Sequence, residues 1–281
     1  MADGDGPIRH VPPPWVLKGT SYIFMFWISS AEARSLPKGI AFSPLEAQSP
    51  YVSSAPSGSP KGGLATIQVH RYTSSPVGPY DEFILSTGMH TYSVEENGRR
   101  KEKSNMRITR IYVSQKTSCW NGRKDWGTPK HLARFEFNEK SDGAMEIKVF
   151  PHDTTSDPRE ATPDNEAFFR AVYKPVPFLP SVPLSTSLVK YLGIDFTIVQ
   201  PPVPEGNGSQ GELPGSDKWC KFYPTISSSQ TAVGWFDLSQ EKTSEKNFWP
   251  GIGRWRLGIR MENANISFSN VEHWETPHLS E

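Results

Sequence analysis

Apolar and polar residues alternate with a period of two in segment after segment of this 281-residue chain. Ala65, Ile67 and Val69 share one face. Ala133, Phe135 and Phe137 oppose Arg134 and Glu136. Met145, Ile147 and Val149 repeat the pattern, and Trp255, Leu257, Ile259 and Met261 oppose Arg256 and Arg260. Successive side chains of a strand point to opposite faces, so this spacing predicts a largely antiparallel sheet system with one face buried. The 26 prolines and 22 glycines are spread along the chain and leave little room for long helices. After Met261 the apolar phase slips and resumes at Ala264, Ile266 and Phe268, which predicts a β-bulge near Glu262–Asn263.

Two helices are expected. One runs from Pro183 to Gly193, where Leu184, Leu188 and Leu192 recur every four residues. A shorter one follows Ser30 and stops before Pro37. Two Ser/Pro/Gly-rich stretches, near 47–63 and 201–218, read as long loops of the kind that form lids or binding loops. Strand patterns of the same type flank both, so residues 15–281 read as one domain behind a flexible N-terminus, 1–14. A composition 36% hydrophobic suffices for one sizeable core.

Lys plus Arg and Asp plus Glu both total 30, so no global field favours nucleic acid. Cys119 and Cys220 stand apart, with neither disulfide-scaffold nor zinc-site spacing. The seven histidines show no His-x-x-x-His spacing. No dinucleotide-binding glycine fingerprint, Walker loop or Gly-x-Ser-x-Gly elbow is present. The expectation is therefore no metal and no cofactor. The longest apolar run, Tyr22 to Ile28, falls far short of the ~20 residues that span a bilayer. The N-terminus carries early acids and prolines and does not read as a secretory leader. A soluble, cytoplasmic protein without a membrane partner is expected.

Lys130 raises the sharpest question. It follows Pro129, which fixes φ, and Gly127, which allows a tight bend. Alternation counted back from Ala133 points it outward, but the turn interrupts the phase, so parity does not decide. Taken alone it reads as a solvated lysine at a strand edge.

The surrounding residues change that reading. Gly122, Arg123, Gly127, Pro129 and Lys130 fall on a Gly-Arg-x-x-x-Gly-x-Pro-Lys-Lys pattern that resembles the core of the acetoacetate decarboxylase family. The segment Tyr72 to Leu85, in which Gly-Pro-Tyr precedes an acidic residue, resembles an earlier segment of the same family. The order of a Pro-Trp opening, this segment, the lysine segment and a closing strand from Arg256 also fits, over most of the chain. The likeness is to the larger, fungal-type members. It implies a cone-shaped antiparallel β-barrel around a cavity, with flanking sheet and short helices, and suggests assembly into a homo-oligomer.

The resemblance also implies a mechanism. The lysine at 130 condenses with the carbonyl of a β-keto acid, the protonated imine accepts electrons as carbon dioxide leaves, and the enamine is protonated and hydrolysed. A lysine of pKa ~10.4 is neutral in only about one molecule in 2,500 at pH 7. Desolvation or a neighbouring cation can depress it, the two causes recognised for acetoacetate decarboxylase itself. Glu82 matches the family's acidic position, with Asp81 the adjacent alternative. Arg123 either binds a substrate carboxylate or pairs with Asp125 at a surface turn. Tyr80, Trp126, His131 and Arg34 complete the implied substrate-binding set, Arg34 standing for an N-terminal arginine of the family. His131 replaces the family's second lysine and removes the Lys–Lys charge pair, which leaves desolvation to lower the amine. Trp120, Trp126, Trp219, Trp249 and Trp255 either line a cavity for a large apolar substrate or anchor core and loops.

The implied function is a lysine-dependent carbon–carbon lyase or decarboxylase of secondary metabolism, acting on a β-keto acid or related carbonyl compound. Two alternatives stand beside it. One is a cofactor-free cyclase or isomerase of a natural-product pathway, in which Lys130 acts without an imine. The other is a noncatalytic small-molecule binder.

Overall fold

The computed structural model describes residues 7–52, 57–152, 162–189, 193, 195–238 and 256–275. Strand β1 (Trp15–Ile28) leads into helices α1 (Ser30–Ser35) and α2 (Lys38–Ala41) and two single 3₁₀ turns, Glu46–Gln48 and Pro50–Val52. Three long strands follow: β2 (Pro60–Ser74), β3 (Tyr80–Glu96) and β4 (Arg99–Val113). Helix α3 (Lys116–Trp126) connects to β5 (Lys130–Glu139), β6 (Met145–Pro151) and β7 (Phe169–Pro175). Then come β8 (Val182–Ser185), α4 (Thr186–Val189), β9 (Ile198–Gln200), β10 (Lys218–Phe222), β11 (Pro224–Asp237), β12 (Arg256–Phe268) and β13 (Glu272–Glu275).

The strands pair in the order β13-β10-β9-β4-β3-β2-β1-β12-β11-β7-β6-β5, with β8 on β11. Strand β5 also pairs in parallel with β4, from Ile111 opposite Lys130 to Val113 opposite Leu132, so the path from β4 round to β5 closes on itself. Apart from β4–β5 and β4–β9 the pairings are antiparallel. The expected bulge is present. Gly19 faces Ala264 and Ser21 faces Met261, so Glu262 and Asn263 together oppose Thr20, and Asn263 takes a φ of 48°. The extra residue keeps both Met261 and Ala264 fully buried on one face.

The expectation of one buried face is corrected. Phe83 and Leu85 of β3 belong to a core that packs β5, β6 and β7 against β1 and β2, with Tyr22, Phe24, Ile67, Val69, Ile147 and Tyr173. The alternate residue Ile84 belongs to a second core with Ile23, Ile108, Ile111, Trp126 and Met261. Through these residues strands β1, β3 and β4 are covered on both sides over part of their length.

Helix α1 forms as expected, with Ser29 and Glu32 in a reciprocal capping box, and ends before Pro37. The helix expected at Pro183 starts later. Val182–Ser185 is a strand on β11, where Pro183 is tolerated because an edge strand can lack one N–H. Leu184 and Leu188 are exposed and form no buried stripe. The remainder of that helix, 190–192, lies outside the described residues. Helix α3 has no counterpart among the sequence expectations, which offer at most a surface turn at Arg123 and Asp125. Within the long loop regions, residues 60–63 belong to β2 and Lys218 to β10. At the N-terminus, Val11 N–H donates to Asn121 Oδ1 at 2.7 Å and Asn121 Nδ2 donates to Arg9 O, which ties this segment to α3.

Candidate active site

The turn that presents Lys130 is built by the end of α3. Gly127 closes the helix in the left-handed region, φ 55°, where a Cβ would be strained and would meet Cys220 Sγ at 2.7 Å. The Thr128 hydroxyl and N–H both donate to Gly122 O, at 2.8 and 3.1 Å. Pro129 stops the helix, and Lys130 opens β5. The lysine stem then lies back across α3. A Cβ on Gly122 would fall 2.4 Å from Lys130 Cδ and 2.6 Å from Cε. Gly122→Ala is therefore expected to leave α3 folded, since alanine is the better helix former, while displacing the amine. Covalent trapping of Lys130 by a small ketone should fall at least about 100-fold, because misplacement of ~1 Å costs that much. Trapping at the wild-type rate would show that the stem has another route.

Lys130 and Glu82 face each other with side chains 8% and 1% exposed, Nζ to Oε1 2.7 Å. Lys130 Nζ also donates to Ser118 Oγ at 3.1 Å, one helical turn before Gly122, and stands 5.5 Å from the centre of the Tyr80 ring. Glu82 Oε2 accepts from Tyr72 OH at 2.7 Å. Burial first, and then the Glu82 charge, push the Tyr72 and Tyr80 phenols well above their usual range, so both remain hydrogen-bond donors at neutral pH. His70 sits opposite Glu82 in the β2–β3 register and stacks on Tyr72 at 5.4 Å. Its ring nitrogens contact Ser21 Oγ at 2.7 Å and Gln68 Oε1 at 3.2 Å. Burial lowers the His70 pKa to about 4, the Lys130 charge adding to the effect and Glu82 opposing it. The imidazole is thus neutral at pH 7.

Beside Lys130 and Glu82 is a pocket of about 20 Å³ walled by Trp15, Tyr80, Ile111 and Trp126, on the order of one water in size. Ile84, Ile108 and Phe268 line it and also line an adjoining cavity of about 270 Å³. That cavity is walled by aliphatic side chains, among them Ile23, Ile198, Ile259 and Met261, with a stripe of Thr66, Gln68, His70 and Ser86. Met25 and Leu184 line it and are partly exposed, which marks its opening to solvent. A larger surface cleft of about 750 Å³, lined by residues such as Lys124, Asp217 and His273, contains none of these groups.

His131 and Arg123 lie elsewhere. Neighbouring residues of a strand point to opposite faces, so His131 turns away from the Lys130 pocket and contacts Glu46 Oε2 at 2.6 Å. Arg123, fully buried, places Nη1 2.9 Å from Glu46 Oε1 and donates to Lys130 O at 3.0 Å. It also donates to Pro204 O and to Pro214 O, pinning the 201–217 loop. The surface turn with Asp125 is overturned, because Arg123 is inside α3 and Asp125 meets His10 at 3.0 Å. Arg34 is exposed on α1 and lines neither pocket. Asp81 points the opposite way from Glu82, 3.7 Å from Arg71, with its pKa pushed up to about 6 by burial and partly offset by that arginine. Of the tryptophans, Trp126 lines the small pocket. Trp219 packs on Tyr92 and Trp274 in a separate cluster, and Trp120 lies against His10. Trp249 and Trp255 are outside the described residues. His70, Tyr72, Ser118 and Glu46 were not singled out from the sequence. The signal for the first two was present: Thr66, Gln68, His70 and Tyr72 are the even-numbered face of β2, which reads as a solvent face and is the cavity face.

Among the described residues no three His, Cys, Asp or Glu side chains stand together as a metal site, and no helix is long and apolar enough to cross a membrane.

The architecture is that of acetoacetate decarboxylase. The acetoacetate decarboxylase of Legionella pneumophila superposes with a TM-score of 0.53 over 94% of this chain and 88% of that one, at 10% identity. The enduracididine biosynthesis enzyme MppR, complexed with the condensation product of pyruvate and imidazole 4-carboxaldehyde, superposes with a TM-score of 0.50 over 95% and 92%, at 14% identity. Among curated proteins, the chain is 29% identical over 127 residues to Protein NEOXANTHIN-DEFICIENT 1 of Oryza sativa subsp. japonica. That match covers 45% of this chain and only about a third, 35%, of the rice protein. No family model matches the sequence.

Proposed function

We propose that this protein is a lysine-dependent enzyme whose Lys130 condenses with the carbonyl carbon of a small molecule. The observation that carries this is the buried Lys130–Glu82 pair, 2.7 Å apart, its lysine stem seated on Gly122 and its head beside an apolar cavity. Charge separation is costly where water is scarce, and an ammonium proton has a short path from Nζ to Oε1, which is 2.7 Å away and accepts no hydrogen bond in the resting arrangement. Transfer to Glu82 leaves a neutral amine and a carboxylic acid. The amine adds to the carbonyl, Glu82 returns the proton to the carbonyl oxygen, and water leaves as the iminium forms. The iminium draws electrons from the neighbouring carbon, so that a carbon–carbon bond in a lyase, or a carbon–hydrogen bond in an isomerase, breaks there. Water then hydrolyses the product imine and frees Lys130. Tyr72 holds Glu82 through its second oxygen, and His70 offers a neutral acid–base group on the cavity side. The MppR complex, which holds a condensation product of two carbonyl compounds, supports carbonyl chemistry on this fold.

A second reading is favoured by the ion pair itself. An ammonium hydrogen-bonded to Ser118 can also donate to a substrate carbonyl, and a cyclase or isomerase needs no more than that. Incubation with acetylacetone or acetone, then borohydride, and intact-mass and peptide analysis separates the two. A single adduct on Lys130 is expected. No adduct, together with undiminished turnover in Lys130→Ala, would sink the proposal; no adduct with lost turnover would select the acid–base reading.

A further inference from the structure

We infer that the cavity takes an uncharged carbonyl compound with an apolar body, not a keto acid. The inference rests on the Lys130 reading only for where the carbonyl sits; the walls carry the rest. Among the described residues lining the two pockets, Lys130 is the one lysine or arginine, and Glu82 already stands against it. The polar stripe of Thr66, Gln68, His70 and Ser86 is uncharged at pH 7, since burial keeps His70 neutral.

Among the described residues, the nearby arginines all face other surroundings. Arg123 is committed to Glu46 and to backbone carbonyls. Arg110 donates to Gly39 O at 2.9 Å and to Tyr112 OH, and Arg107 donates to Tyr51 O. Arg34 is on the surface. A carboxylate entering this cavity would shed its hydration without gaining a cation. An aliphatic chain laid along Ile23, Ile108, Ile198 and Ile259 gains on every methylene. Ser86 Oγ is buried without a hydrogen-bond partner, and offers one donor to an uncharged oxygen on the substrate body.

Binding of 2-butanone, 2-pentanone, 2-hexanone and 2-heptanone to the full chain tests this by calorimetry, with acetoacetate and 3-oxooctanoate as the charged counterparts and 2-heptanol as a ligand that forms no imine. Affinity should rise up to about fourfold per methylene, 2-heptanol should compete with borohydride trapping at Lys130, and each keto acid should bind at least tenfold more weakly than the ketone of matching chain. Keto acids that bind as tightly as those ketones, or a ketone series without a gradient, overturn the inference. The two readings fail separately. A gradient and 2-heptanol binding without any trapped adduct keep the substrate class and remove the imine. Trapping of acetoacetate without a gradient does the reverse.

Discussion

Lys130→Met is expected to abolish borohydride trapping and to destabilise the fold by about 3–5 kcal/mol, while the double variant Lys130→Met, Glu82→Gln regains most of the stability and none of the chemistry. Both side chains are buried, 8% and 1% exposed. Removing the amine leaves the Glu82 carboxylate with the Tyr72 hydroxyl, in a pocket whose other walls are mostly apolar and include Trp15, Ile84, Ile108, Ile111 and Trp126. An uncompensated buried charge costs that order of energy, whereas replacing both members of a buried pair with uncharged groups is often neutral. Urea unfolding of wild type, single and double variants measures the first effect. Deuterium exchange into the α-positions of acetone in D₂O, which enamine formation promotes, measures the second, with a loss of at least about 100-fold expected in both variants. A single variant as stable as wild type would show that the pair is solvated. Exchange retained by either variant would show that the amine at 130 is not the nucleophile.

The sequence leaves the strand parity of Lys130 open, because the turn before it interrupts the phase; in the structure β5 begins at Lys130 itself and the count runs unbroken. Counting back from Ala133, Phe135 and Phe137 puts Lys130 on the face opposite those apolar residues, and there it lies. The step that fails is the next one, from opposite face to solvent. Period-two alternation reports one core per strand, and β1, β3 and β4 each serve two. The even face of β2, with Thr66, Gln68, His70 and Tyr72, misleads for the same reason, because a polar cavity wall and a solvated face have the same composition. The slip at Glu262–Asn263 was legible because a bulge shifts the phase of the buried residues themselves. Helix α3 was not, because Lys116–Trp126 carries no apolar stripe; its buried positions include Lys116, Ser118, Asn121, Gly122 and Arg123. Cys119 and Trp126 join a core, while its buried polar residues hold Lys130 and the 201–217 loop.

The same parity settles the concern over His131. A residue at 131 points into the other core, so no side chain there stands beside the Lys130 amine in this chain. Its partner Glu46 is the group whose loss should reach furthest. Burial alone would raise the Glu46 pKa, but His131 and Arg123 outweigh it and hold the carboxyl at about 2, against an ordinary value near 4.5. A depressed folded-state pKa contributes stability that is complete above about pH 4.5 and is lost as the pH falls toward 2, a change of about 3 kcal/mol. Glu46→Gln should therefore cost about 3–5 kcal/mol at pH 6, by leaving Arg123 buried and unpaired. The difference from wild type should shrink by about 3 kcal/mol between pH 5 and pH 2. Groups that do not touch Glu46 titrate alike in the two proteins, so the difference reports the cluster that this carboxyl holds with His131 and Arg123. Arg123 also donates to Lys130 O and to the carbonyls of Pro204 and Pro214, so its release moves the start of β5 and slows trapping at Lys130 by about tenfold or more. A difference that is flat with pH would remove Glu46 from the acid response. Trapping at the wild-type rate would confine the cluster to stability and separate it from the chemistry on the other face of the strand.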